Sequence, residues 1–145
     1  MASMLDRLKR MVQGDAPPAP VASLVGFTLT SIEPGRSIIT FEAEPRHANP
    51  MGTLHGGILC DVADAAMGTA YAATLDEGET FTTLELKINF LKPIWRGKLT
   101  AEGRVVKKGQ TVGLAACDVV DADGNLVAHA TSTCLTLRGG DARGR

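Results

Sequence analysis

His55-Gly56-Gly57, with Asp64 nine residues after the histidine, is the stretch whose residue types and spacing could carry chemistry. From Ile58 to Ala73 there is no proline and alanine is dense, so the glycines read as a turn opening into one long helix. The first N–H groups of a helix lack internal acceptors and lie at the positive end of its dipole. With no side chain on Gly56 or Gly57, a carbonyl oxygen can reach them. Such a place suits the negative charge of an acyl-transfer transition state, where loss of one donor typically costs ~10²–10³ in rate. Asp64 adds a carboxylate two turns further on.

The eight residues from Gly56 to Asp64 span roughly 12 Å at about 1.5 Å per helical residue, too far for one carbonyl to touch both. If they share a site, two chains must supply it. An antiparallel pair of these helices across a two-fold axis sets Gly56 of one copy near Asp64 of the other, twice.

The elements that position these groups follow from pattern. Leu59, Val62, Ala66, Ala70 and Ala73 recur on one helical face, mostly small, which suits a helix lying closely in the concavity of a curved sheet. Residues 1–13 form an amphipathic helix, which Pro17, Pro18 and Pro20 end in a linker. Residues 26–32 and 37–43 read as a hairpin around Pro34-Gly35. The irregular run 44–54 brings His47, Asn49 and His55 to the front of the long helix. In 81–91, Leu84, Leu86, Ile88 and Phe90 alternate with Thr83, Glu85, Lys87 and Asn89, a strand covered on one face. Strands over 98–108, 111–120 and 126–137 continue it as a four-stranded antiparallel meander. The class is α+β, with the helix on one side of an antiparallel sheet.

Lys and Arg total 15 against 16 Asp and Glu, a net charge of −1, which argues against a nucleic-acid partner. Three cysteines, Cys60, Cys117 and Cys134, without pairwise motif spacing suggest a reduced, cytoplasmic protein. No apolar run approaches the ~18–20 residues of a membrane span, and the first residues lack a signal-peptide core.

The run Asn49-Pro50-Met51-Gly52-Thr53-Leu54-His55-Gly56-Gly57, Asp64, then Glu85 to Pro93, Lys108-Gly109-Gln110 and Asp123 to Ala128 resembles the PaaI-type hotdog-fold acyl-CoA thioesterases over roughly residues 22–137. The resemblance implies a hotdog fold over 21–138; the helix and linker before it occupy 1–20, and the glycine- and arginine-rich tail over 139–145 is expected to be disordered. The resemblance also implies a homodimer, with dimers pairing into a tetramer, and hydrolysis of acyl- or aryl-acyl-coenzyme A without cofactor or metal. Carried across by position, Gly56 polarises the thioester carbonyl, with His55 and Asn49 beside it. Asp64 acts as nucleophile or as general base on water, and Thr83 helps hold that water. The CoA arm follows Phe90, Leu91, Lys92, Pro93, Ile94 and Trp95, together with Lys107, Lys108, Gly109, Gln110, Thr111 and Val112. Lys92, Arg96, Lys107 and Lys108 are placed to meet its phosphates. Relatives often have arginine where this chain has Gln110.

Other readings of the same residues stay open. Asp64 could be a solvated helix aspartate, Thr83 a strand former, Asn49 a turn residue and His55 a loop hydrogen-bonder. His47 and His129 read as ordinary surface or strand residues. Cys60 with His55 lacks an orienting acid, and His47, His55 and Asp64 fit no zinc spacing. An acyl-thioester hydratase and a binding or regulatory module without turnover are the competing functions; the intact His-Gly-Gly and Asp64 speak against both. The acyl group is expected between subunits, near Met51, Leu54, Met67, Gly68 and Tyr71, with Gly68 leaving room for a bulky or aromatic group.

Overall fold

Ser3 caps the first helix because its hydroxyl accepts from the Asp6 N–H at 3.1 Å while Asp6 reaches back to the Ser3 N–H. In the computed structural model, which describes residues 2–144, this helix, α1, spans Met4–Gln13 and buries Leu8. Gly14, in the left-handed region, ends it. The following prolines do not run on as linker to a strand. Pro20 occupies the first turn of a second short helix, α2 (Pro20–Val25), where a missing N–H costs nothing.

The long helix α3 (Gly56–Ala72) buries Leu59, Val62, Ala63, Ala66, Met67 and Ala70 against a six-stranded antiparallel sheet. Its strands are β1 (Phe27–Glu33), β2 (Arg36–Ala43), β3 (Thr80–Phe90), β4 (Gly97–Lys108), β5 (Val112–Val120) and β6 (Leu126–Leu137). The anticipated small face allows close docking. A Cβ on Gly103 of β4 would lie 2.1 Å from the Ala66 carbonyl oxygen, and across the ladder Ser37 donates to that oxygen at 2.5 Å.

The strand order is β1-β2-β4-β5-β6-β3. The meander is therefore three strands, not four: β3 pairs with β6 and never with β4. Its 11 residues form one outer edge of the sheet. A bulge between Thr83 and Glu85 interrupts its alternation: Thr83 lies opposite Cys134, and Glu85 opposite the next residue along, Thr133. Thr83 is thus turned to the helix side with Leu86, Ile88 and Phe90, and Leu84, expected inside, is 57% exposed. At the far end Gly139–Ala142 form a 3₁₀ turn where a disordered tail is expected. Arg138 holds it near the sheet by donating to Glu79 and to the Gln110 carbonyl, both at 2.6 Å. Met1 and Arg145 lie outside the described residues.

Candidate active site

The loop before α3 is tied by its own side chains. Asn49 Oδ1 accepts from the N–H groups of Met51 and Thr53 at 3.0 and 3.1 Å, and its Nδ2 donates to Thr53 Oγ1 at 2.7 Å. His47 is not a surface residue: it is buried, with a ring nitrogen 2.7 Å from the Val25 carbonyl and its ring tilted on Phe41. His55 caps α3, its Nδ1 accepting from the Gly57 N–H at 2.8 Å, which places the neutral ring's proton on Nε2. Of the two expected donors, Gly57 is therefore taken. Gly56 remains as the helix-start donor, and a side chain there would strike the Phe90 ring, 2.7 Å from a Cβ.

Asp64 projects from the open side of α3 and is exposed. Thr83, carried to the helix side by the bulge, donates its hydroxyl to Asp64 Oδ1 at 3.3 Å and leaves Oδ2 free. Desolvation by the surrounding chain raises the Asp64 pKa above the usual carboxylate value; the Thr83 bond pulls it back and Asp61 pushes it further up. The site thus presents one helix-end N–H and, eight residues along the same helix, a carboxylate that accepts a hydrogen bond from a hydroxyl.

The structure divides the remaining candidate residues. Phe90, Leu91, Lys92, Pro93 and Ile94 share a cleft of about 400 Å³ with Asn49 and Gly56. Trp95 and Arg96 line a neighbouring cleft of about 490 Å³ with Lys92. Lys107, Lys108, Gly109, Gln110, Thr111 and Val112 stand at the other end of the sheet: Phe90 pairs with Ala128 and Val112 with Leu135. Seven residues of β6 separate those levels, roughly 23 Å at about 3.3 Å each, so one chain alone does not bring the two segments to one ligand. Lys92 is bonded to Asp121, and this ion pair holds the Asp121 pKa down to about 2. Lys108 donates to the Thr74 carbonyl at 2.6 Å. Arg96 and Lys107 are exposed and free to meet phosphate.

The expected acyl space is partly filled. Met67 and Tyr71 are wholly buried, and the Phe81 ring lies 3.4 Å from a Cβ placed on Gly68. Burial raises the Cys60 thiol, against a nucleophilic thiolate. A cavity of about 690 Å³ lies under the Pro17-Pro18 strap and is lined mainly by apolar groups, with Asp15 the one titratable side chain in its lining. It lacks the groups for chemistry. Ser132, Cys134 and Thr136 form a buried row on β6 that was not anticipated, although their every-second-residue spacing is visible in the sequence.

The profile of the Thioesterase superfamily matches residues 51–128, more than half of the chain and all of the Gly56 to Asp64 segment. The chain belongs to that superfamily. A Saccharolobus solfataricus relative is 38% identical over 108 residues, covering 74% of this chain and 76% of its own. Human acyl-coenzyme A thioesterase 13 is 27% identical over 136 residues, 92% of this chain and 96% of the human protein. The E. coli PaaI protein superposes with a TM-score of 0.82 at 22% identity, over 94% of this chain and 98% of that one, so the fold is the hotdog fold. This superfamily member is a thioester hydrolase.

Proposed function

We propose that the chain hydrolyses acyl- or aryl-acyl-coenzyme A to the free acid and CoA, at a site built from two copies. One copy supplies Gly56, His55 and Asn49, and the other Asp64 and Thr83. The separation of Gly56 and Asp64 along one rigid helix carries this reading, because no single-chain rearrangement of α3 can close it. Two further features support it: β3 is a long, unpaired edge, and Gly56 lies beside Phe90 while Asp64 lies beside Thr83. Pairing β3 with a second β3 in antiparallel sense sets each Phe90 level against the other copy's Thr83 level. The same operation carries the Phe90 to Trp95 segment of one copy toward the Lys107 to Val112 hairpin of the other.

In this arrangement the Gly56 N–H polarises the thioester carbonyl and holds the oxyanion, and His55 fixes the loop by capping α3. Asp64 attacks the carbonyl carbon or takes the proton of an attacking water, and Thr83 leaves one carboxylate oxygen free for that step. If Asp64 takes the water proton, the C–S bond breaks as hydroxide adds and the CoA thiolate receives that proton back from Asp64; if Asp64 attacks, the C–S bond breaks to leave an acyl anhydride on Asp64, and water then cleaves it to the free acid, restores the carboxylate and supplies the proton of the CoA thiol.

Thiol release from short, medium, long and aryl acyl-CoAs tests the activity: Asp64→Ala is expected to abolish turnover of every substrate the wild type accepts. The shared site has its own test. Asp64→Ala chains and Gly56→Ala chains, in which the added methyl strikes the Phe90 ring rather than removing the N–H, are first shown inactive alone and then unfolded, mixed and refolded together. About a quarter of wild-type activity returns if each site draws on both copies, since half the dimers are mixed and each mixed dimer has one intact site. No recovery from refolded mixed dimers would place each site within one chain.

A further inference from the structure

An acyl group whose carbonyl sits over Asp64 needs apolar space beside that carboxylate, and the β3 side of α3 does not offer it. There Phe81 stands 3.4 Å from a Cβ placed on Gly68 and tilts its ring onto Tyr71, with centroids 5.5 Å apart, while Met67 and Tyr71 are wholly buried. The other side of α3 is open. Ala65 follows Asp64 directly and points about 100° further round the helix, toward β1 at the opposite edge of the sheet from β3. Ala65 and Thr69, one turn apart, form the helix wall of the cavity of about 690 Å³ beneath the Pro17-Pro18 strap, and Phe27, Leu29 and Ile39 form its sheet wall. Pockets that enclose small ligands span roughly 300–1,000 Å³, so the space is of ligand size.

The lining says what kind of ligand. Ala22, Phe27 and Ile39 are buried and apolar, and the Thr69 hydroxyl already donates to the Ala65 and Ala66 carbonyls at 2.7 and 3.2 Å. Asp15, Ser23 and Thr28 are exposed and therefore stand at the rim. Among the described residues that line the cavity, no buried side chain offers a free polar group.

We propose that this cavity takes the hydrocarbon tail of the acyl group, in the copy that supplies Asp64, and that the substrates are acyl-coenzyme A esters with an unsubstituted aliphatic chain of medium to long length. The way from Asp64 into the cavity turns over the shoulder of α3 at Ala65. A flexible chain follows that turn, whereas a rigid ring joined directly to the carbonyl does not. A hydroxyl on the chain would lose its water and find no partner inside.

This inference rests on the proposed roles of Asp64 and Gly56, and one arm of its test needs no turnover. Thiol release from straight-chain acyl-CoAs of increasing length gives kcat/KM. Calorimetry with the matching S-alkyl-CoA thioethers, which cannot be hydrolysed, gives affinity alone. In wild-type protein both are expected to rise about fourfold per methylene group until the cavity is full, the fold-change for burying one CH₂. A hydroxylated chain of equal length falls up to about 100-fold behind. Ala65→Leu narrows the space from the helix, and Ala16→Leu from the strap, where Ala16 is half-buried in the lining. In each, the long-to-short ratios of kcat/KM and of thioether affinity fall about tenfold, as for two methylene groups displaced. The proposal is overturned if both quantities are flat with chain length, or if either variant leaves the long-to-short ratio unmoved. A change of oligomer size in the variants with an unmoved chain-length profile also overturns it, by making the cavity an interface between copies. Should no acyl-CoA be turned over while thioether affinity still climbs with length and falls in both variants, the tail site stands and the chemistry assigned to Asp64 and Gly56 fails.

Discussion

Desolvation is the main cause that lifts Asp64 above the usual carboxylate range, and Asp61 adds to it. A carboxyl whose folded pKa is raised stabilises the fold while protonated, and that contribution is lost as pH rises through the folded midpoint. At pH 7 the charge therefore opposes folding. Asp64→Asn is expected to raise the melting temperature at pH 7, with the gain shrinking as pH falls through the Asp64 midpoint, as a thermal-melt series on both proteins would show. Activity moves oppositely. In the proposed mechanism hydrolysis needs the carboxylate, so the wild-type rate should fall with acidification over that same interval, above the range of an ordinary aspartate. A residue that lowers stability where it is needed for turnover is the usual relation between a working site and its scaffold.

The helix α3 carries both halves of the proposed chemistry, so its seat on the sheet sets their accuracy. That seat is Gly103, where a side chain has no space against the Ala66 backbone, and Ser37, whose hydroxyl ties the Ala66 carbonyl to β2. Backbone cannot yield as a flexible side chain can, so Gly103→Ala should destabilise by about 3 kcal/mol, the upper end for overpacking, in chemical unfolding. It should also lower kcat in the protein that remains folded. The long helix and its small face were legible in the sequence because they depend on the helix's own residues, and so was the amphipathic α1. Helix α2 was masked by Pro20, a breaker inside a helix but a starter at its first turn. The Thr83 bulge was hidden for a similar reason: period-two reading from Thr83 to Phe90 contains no mark of an extra residue, and only the partner strand reveals that Leu84 has no place in the ladder.

At the scale of the whole molecule, the candidate site was legible as identities and not as relations. Asp64 and Gly56 stood out by type and spacing and Asn49 through the family resemblance, whereas the loss of the Gly57 donor to His55 and of Lys92 to Asp121 depends on contacts made only when the chain is folded. The partner of β3 was equally out of reach, since β6 pairs with it across 38 to 57 residues of sequence, from Phe90 against Ala128 to Thr80 against Leu137. The two sheet edges differ. Helix α1 packs along β1, but β3 is long and leaves half its backbone groups unpaired, an arrangement that invites a second strand. A size measurement at micromolar concentration should therefore find a dimer or larger, and charged substitutions of Leu86 and Ile88, half-buried on β3, should shift it toward single chains.

That open edge makes the rate law part of the design. If each catalytic centre exists only where two edges have met, a dilute chain is a mute half, and initial velocity climbs with the square of protein concentration until the pairs are saturated and then becomes linear. The thioester-cleaving capacity of a cell would then respond more than proportionally to how much of this chain it makes.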